Sequence, residues 1–404
     1  MKIGILRETK NPVDNRVALS PRQIVELIQR FPGTEIVVQP SNIRVFADKE
    51  YRECGIEVKE DLADCDVIFG IKEAKPDILL NNKHYFFFGH IAKKQKYNQH
   101  LLQEIISKKI TFSDYEYLVD ENGQRLCAFG WWAGIVGVYY TLRGYGLKTG
   151  LFDLPKPTLK FTLNDLKEVL SSVSFPSLRI LLTGNGRVSH GAQYILEQIG
   201  AIKMEEESFL NGIKPEGLGY FVAETNKLVR RRDGSSYSKV DFISHPDMYE
   251  SDFMKWAYCS DILITCHFWK PGEPIYLTPE DLCKKLPIKV IGDITCDIQG
   301  SIMSTLRSST HDNPYYDYNP ITRMEELPFS SDDNILVMAV DTCPNALAHD
   351  SSEYFGDMLI QYVFTPLLDG TWKDSKVIQR STIVSEGELT PNFSYLDAFS
   401  KGLE

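Results

Sequence analysis

Apolar positions recur along this chain with two periods, and the periods alternate. The runs "KIGILRE" (2–8), "TEIVVQP" (34–40), "CDVIFGIK" (65–72), "HYFFFGHI" (84–91) and "ITFSDYEYL" (110–118) are short and rich in Ile, Val and Phe, and read as buried strands. Between them, "SPRQIVELIQRF", "KEYRECG" and "QHLLQEIISKK" carry helical spacing, the first announced by Ser20 and Pro21. Alternation of this kind predicts a parallel sheet covered by helices. The run "AFGWWAGIVGVYYTL" (128–142) is nearly uncharged but interrupted by glycines, too short to span a bilayer, and reads as a buried helix. After a proline-containing bridge (150–177, with the helical "NDLKEVLSSV") a second series begins with "LRILLTGNG" and continues through "DILITCHFW", "IKVIGDIT" and "NILVMAV". Residues 208–255, roughly, read as a long polar insert, and "SSEYFGDMLIQYVFTPLLDG" reads as a helix returning to the first domain. The expected division is residues 1–135 plus 345–404 against 136–344.

Composition narrows the function classes. At 404 residues, 43% hydrophobic and 25% charged, the chain is long enough for two cores. A net charge of −11 makes nucleic acid an unsuitable partner. Arg7, Glu8 and Lys10 interrupt any export signal, so a cytoplasmic setting without membrane attachment is expected. The eight cysteines (54, 65, 127, 259, 266, 283, 296, 343) form no C-x-x-C pair, so reduced thiols and no metal site are expected.

Two sets of residues carry chemistry. In "ILLTGNGRVSHGAQ", Gly184 and Gly186 make a G-x-G turn from strand to helix, followed by Arg187 and Val188, with Ser189 at the third-glycine position and Gly191 beyond. Glycine permits a tight turn and close approach to a pyrophosphate, and the helix start offers free N–H groups. Glu205, twenty-one residues after Gly184, stands where an acid binds an adenosine ribose, which favours NAD. Arg230, Arg231 and Arg232 would suit a 2′-phosphate if the insert folds back, and otherwise form a solvated basic face. In the first domain Arg16, Lys72, His90, Lys93 and Glu116 fall at the ends of predicted elements, and groups at strand ends converge on the ligand-binding edge of a parallel sheet. There arginine suits a substrate carboxylate, and lysine and histidine suit proton transfer.

Together "RETKNPVDNRVALSP", "GIKE", "FFFGH", "FGWWAGIVG" and "VIGDITCDIQGSI" resemble the alanine dehydrogenase and lysine-forming saccharopine dehydrogenase superfamily. "VVQPSNIRVFADKEY", "TGNGRVSHGAQ" and "SSEYFGDML" are most similar to the lysine–ketoglutarate reductase region of the aminoadipic semialdehyde synthases. The resemblance implies an α/β fold of two Rossmann-like domains with parallel sheets, the first discontinuous, and an active site in the interdomain cleft. It implies NAD(P)-dependent interconversion of saccharopine with L-lysine and 2-oxoglutarate, with NAD or NADP as cofactor. Carried over, Arg16 holds a substrate carboxylate, Lys72 and His90 form the acid–base pair, and Lys93 and Glu116 tune it. Asp297 and Asp341 face the nicotinamide, although Asp297 would also serve as a helix cap. A homo-oligomer is compatible with the family. Two other readings stay open: a related amino-acid or opine dehydrogenase, alanine-like in substrate, and a nucleotide-binding sensor without catalysis.

Overall fold

The computed structural model describes residues 1–403. Six strands open the chain: β1 (Lys2–Ile5), β2 (Glu35–Val38), β3 (Glu57–Val58), β4 (Val67–Phe69), β5 (His84–Phe87) and β6 (Thr111–Asp114). They pair in parallel in the order β6-β5-β4-β1-β2-β3. Most of their residues are buried, as expected where helices cover both faces of a parallel sheet. Helix α1 (Pro21–Arg30) starts where the sequence announces it. The Ser20 hydroxyl accepts from the Gln23 amide, the Gln23 side chain returns the bond, and Pro21 takes the first turn. Helices α2 (Asp48–Glu53) and α3 (Gln99–Ser107) complete the series.

The chain then enters a second compact unit, Gly130–Leu347. It begins with α4 (Gly130–Thr149), buried over most of its length, so the expected boundary after residue 135 falls inside a helix. A helix is one rigid element and goes with a single core; this one packs on α6 (Arg187–Gln198). The contact is glycine on both sides. A Cβ on Gly134 would lie 1.9 Å from the Val188 carbonyl oxygen, and one on Gly191 1.9 Å from that of Trp131. Gly134 of the apolar run is therefore a helix-contact residue, whereas Gly137 lies against the Ile294 side chain, where a Cβ would stand 2.2 Å away. Helix α5 (Leu163–Ser171) follows α4, capped by Thr162.

The second sheet contains β7 (Leu178–Thr183), β8 (Ile202–Lys203), β9 (Leu218–Ala223), β12 (Ile262–Thr265), β13 (Val290–Asp293) and β16 (Ile335–Met338), all parallel. Strands β14 (Tyr315–Asn319) and β15 (Met324–Glu326) add an antiparallel edge, giving the order β15-β14-β16-β13-β12-β7-β9-β8. Its faces alternate as a doubly covered sheet requires. Ile180, Leu182, Ile262 and Ile264 enter one core, and Leu181 and Leu263 the other. Both units are thus Rossmann-like, with mostly parallel eight-stranded sheets.

One expectation fails here. Residues 208–255 are not a single polar insert. They contain β9, an interior strand of the sheet, and a short hairpin of β10 (Val229–Arg231) and β11 (Tyr249–Ser251). The apolar run "LGYFVA" that makes β9 is flanked by polar segments whose composition masks it.

From Ala348 the chain returns to the first unit. Helix Ala348–Leu359 leads through a wider turn at Ile360–Phe364 to Thr365–Leu368. Strands β17 (Thr382–Ser385) and β18 (Glu388–Leu389) then extend the first sheet beyond β6 in antiparallel fashion. Among the described residues no helix is long and apolar enough to cross a membrane.

Candidate functional site

Four neighbouring strands of the first unit, β6-β5-β4-β1, end in ionisable groups, as the sheet order brings their carboxyl ends side by side. Past β5, His90 adopts a left-handed backbone (φ +50°), uncommon for a residue with a side chain. It is held there by Asp114 at the end of β6, whose Oδ2 accepts the amides of Gly89 and His90, both at 3.1 Å. The preceding residue must be glycine, because a Cβ on Gly89 would lie 2.6 Å from the Phe112 ring. The His90 Nδ1 stands 2.7 Å from Glu73 Oε1, and the other Glu73 oxygen accepts from Lys10 Nζ at 2.6 Å. Burial works against the Glu73 carboxylate, but the bonds from His90 and Lys10 outweigh it and hold its pKa down at about 2. Glu73 is therefore ionised and accepts from the N–H on His90 Nδ1, an arrangement that, in the neutral imidazole, leaves the lone pair on Nε2. No partner occupies Nε2 among the described residues, and the side chain is 21% exposed.

Lys72 precedes Glu73. Its backbone N–H, with that of Ile71, donates to the two oxygens of Glu8 (2.9 and 2.7 Å). Arg16 is buried and forks onto Asp14 through Nε (2.9 Å) and Nη2 (2.6 Å), its guanidinium 4.2 Å over the Phe129 ring. Burial raises the cost of ionising Asp14, yet Arg16 outweighs it, with the Lys72 charge adding, and the pKa falls. Burial, with the Asp14 charge adding, raises Glu8 to about 7, and burial likewise raises Asp114 to about 7. Buried Glu116 takes Lys93 (3.0 Å) and Arg125 (2.9 Å) on one oxygen. The structure thus gathers Arg16, Lys72, His90, Lys93 and Glu116 at one edge. Sequence reasoning missed Glu8, Lys10, Asp14, Glu73, Asp114 and Arg125. Glu73 was legible as the last letter of "GIKE", and Glu8, Lys10 and Asp14 lie within "RETKNPVDNRVALSP"; Asp114 and Arg125 carried no signal of their own.

In the second unit, Gly184 has φ +77°, and a Cβ there would lie 2.8 Å from the His267 backbone. Gly186 caps α6 without a side-chain bond, and a Cβ on it would meet nothing within 4 Å. Unfilled space in front of uncapped helix N–H groups fits a dinucleotide pyrophosphate, with Arg187 and Val188 in the first helical turn. Ser189 is buried and receives a bond from Gln193 (3.2 Å). His267, past β12, is buried between Thr183 Oγ1 (2.6 Å) and Ser301 Oγ (2.8 Å), and burial lowers its pKa to about 3.

The acids sort differently from expectation. Glu205 follows edge strand β8, and β9 stands between β8 and the glycine-bearing β7. The acid beside the glycine turn is Glu224, directly after β9, whose Oε1 accepts from Asn185 Nδ2 at 3.1 Å. Asp297 is half-buried after β13 and precedes a turn, so it caps no helix, and its carbonyl accepts from Gly300 at 2.9 Å. Asp341 is exposed after β16. Asp293 is buried among the hydroxyls of Thr265, Thr295 and Thr305. Arg230 and Arg232 pair with Glu250, and Arg231 with Asp233 and Asp241, on the β10–β11 hairpin.

Residues 4–136 match the family model described as alanine dehydrogenase/PNT, N-terminal domain. The chain is 32% identical to an alpha-aminoadipic semialdehyde synthase of Arabidopsis thaliana, covering 99% of this chain and 41% of the relative. It is 24% identical to the NAD(+), L-lysine-forming saccharopine dehydrogenase of Candida glabrata, covering 88% and 89%. The chain therefore spans less than half the length of the first of these relatives and nearly all of the second. A solved L-alanine dehydrogenase superposes over 100% of both chains with a TM-score of 0.67 at 17% identity, which is a likeness of fold.

Proposed function

Because the chain belongs to the superfamily of alanine dehydrogenase and lysine-forming saccharopine dehydrogenase, we propose that it interconverts saccharopine with L-lysine and 2-oxoglutarate as an oxidoreductase acting on a CH–NH group. The observation that carries this reading is the Lys10–Glu73–His90 relay, with an unpartnered Nε2, at the strand ends that also hold Lys72 and Arg16.

In the cleavage direction, a nicotinamide dinucleotide, its pyrophosphate held at Gly184, Gly186 and the start of α6, would supply the hydride acceptor. His90 Nε2 takes the proton from the secondary amine, and the Glu73 carboxylate stabilises the imidazolium that results. The Lys72 ammonium polarises the reacting carbon's substituent and donates a proton as water adds across the C=N bond and the lysine amine departs. Arg16, whose Nη1 carries no bond among the described residues, takes a substrate carboxylate. Glu116 keeps Lys93 and Arg125 at the rim, where they attract a dianionic oxo acid. One water is consumed, and the products are lysine, 2-oxoglutarate and reduced cofactor. NAD or NADP serves as cofactor, the setting is cytoplasmic, and the substrates are small molecules.

The test is absorbance of reduced nicotinamide with purified protein, supplied with lysine plus 2-oxoglutarate and, separately, NADH or NADPH. Oxidation that requires both carbon substrates is the expected result. Oxidation with pyruvate plus ammonia instead would overturn the substrate assignment.

A further inference from the structure

The first sheet has an opposite edge, where the amino ends of its strands line a cavity that the dehydrogenase reading leaves unused. The starts of β4, β5 and β6 and the β17–β18 turn, all within the first unit, border about 670 Å³, a volume suited to a small molecule. Strand β5 thus carries a histidine at each end. His90 lies past its carboxyl end, and His84, its first residue, stands in the wall of this cavity.

The hydrogen bonds around His84 fix its tautomer. The Ile378 carbonyl can only accept, so the Thr382 hydroxyl donates to it (2.8 Å). The Ser113 hydroxyl then supplies the proton between Ser113 and Thr382 (3.0 Å), and His84 Nε2 the one between His84 and Ser113 (2.9 Å). The lone pair is left on Nδ1. His84 is 8% exposed, burial lowers its pKa to about 3, and Nδ1 has no partner among the described residues. A buried acceptor left open costs free energy that a donating ligand would recover.

Charges of both signs line the same space. Lys109, Glu386 and Glu388 are exposed to it and make no ion pair among the described residues. Lys83 Nζ reaches only the Ala63 carbonyl (2.7 Å), and Asp66 accepts the Lys2 amide (2.8 Å). The Trp372 ring, 5.6 Å from that of His84, forms an apolar wall, and a second cavity of about 490 Å³ adjoins there, bordered by Ile378 and Pro391.

We propose that this amino-end cavity binds a zwitterionic α-amino acid with an apolar side chain, at a site separate from the His90 edge. The ligand's ammonium donates to His84 Nδ1 and answers the charges of Glu386 and Glu388. Its carboxylate meets Lys109 and Lys83, and its side chain lies against Trp372. A ligand of one charge sign leaves half of this lining unanswered, and a dianionic oxo acid meets like charge at Glu386 and Glu388. The assignment goes beyond the dehydrogenase reading and does not rest on it.

The experiment is calorimetric titration of the full chain with L-phenylalanine and, separately, L-leucine, without nucleotide. Wild type should bind at least one of them with a Kd of about 1 mM or below. For a phenylalanine site, 3-phenylpropionate, which lacks the ammonium, should bind about tenfold more weakly, the worth of a charged hydrogen bond. His84→Phe, which keeps a ring but removes Nδ1, should weaken binding about tenfold, and so should the double variant Glu386→Gln, Glu388→Gln. The double variant alters only exposed side chains, so it decides the matter even where His84→Phe fails to fold. Arg16→Gln, at the other edge of the sheet, should bind as wild type does. Binding of neither amino acid would overturn the proposal. So would affinity within about twofold of wild type in the double variant, or affinity lost in Arg16→Gln, which would put the amino acid at the His90 edge. None of these results depends on turnover, so a failure here leaves the function reading standing.

Discussion

His90 and His267 both stand just past the carboxyl end of a parallel strand, one in each unit, and their surroundings differ in every respect that matters to a proton. His267 has both ring nitrogens engaged by hydroxyls, is almost fully buried, and is held neutral, its pKa lowered to about 3 by that burial. His90 has one nitrogen on an ionised carboxylate and the other open, at a site partly reached by water. The same contrast extends along the two edges. The first unit's strand ends carry Glu8, Arg16, Glu73, His90 and Asp114, each held by hydrogen bonds at that edge; the second unit's carry glycines, a His267 and an Asp293 absorbed by hydroxyls, and acids such as Glu205, Glu224 and Asp341 that lie exposed. A position at a strand end therefore says where chemistry can happen, and the partners of the side chain say whether it does.

Substitutions can break that contrast. The largest expected effect is on Lys72→Met, which should lower turnover about 100- to 10,000-fold with little change in the unfolding midpoint, read by steady-state kinetics and thermal denaturation. Turnover within a few-fold of wild type would remove Lys72 from the proton inventory. His267→Leu should do the reverse. It strands Ser301 and one bond of Thr183, costing about 1–3 kcal/mol for each hydroxyl left unpaired, measured by denaturant unfolding. It should also flatten the pH dependence. A histidine whose folded pKa is lowered from 6.5 to about 3 costs stability as pH falls through that window, because only the unfolded chain takes the proton. A variant retaining wild-type slope between those pH values would show that His267 is not held neutral.

Much of this was legible in the sequence. The strand runs, Ser20–Pro21 at α1 and the buried helix at α4 are local patterns, and local patterns determine those elements. The residues after the strands could be named because a parallel sheet sends its strand ends to one edge. Two things were not legible. Strand β9 lies among polar segments, and its place between β7 and β8 is a long-range pairing that no spacing encodes; with it went the position of Glu224. The buried carboxylates Glu8, Asp14 and Asp114 are ordinary letters until the fold turns them onto backbone amides or Arg16.

A smaller effect sharpens the first unit's side of the comparison. Glu73→Gln keeps an acceptor for His90 Nδ1 but removes the charge that stabilises the imidazolium, and turnover should fall about tenfold or more. Since the folded pKa of Glu73 lies near 2 against 4.5 ordinarily, its ionised form stabilises the chain above pH 4.5, and that contribution is lost as pH falls toward 2. The variant should therefore lose less stability than wild type across that acid window in thermal melts taken at each pH; an identical loss would place Glu73 outside the relay.

The most direct measurement is made on His90→Gln with the reduced nicotinamide nucleotide that wild type oxidises, comparing its binding by fluorescence with the rate of its oxidation by lysine and 2-oxoglutarate. The relay predicts unchanged binding and a rate lower by about 100-fold or more. Near-wild-type turnover, or loss of nucleotide binding in step with the rate, would contradict it.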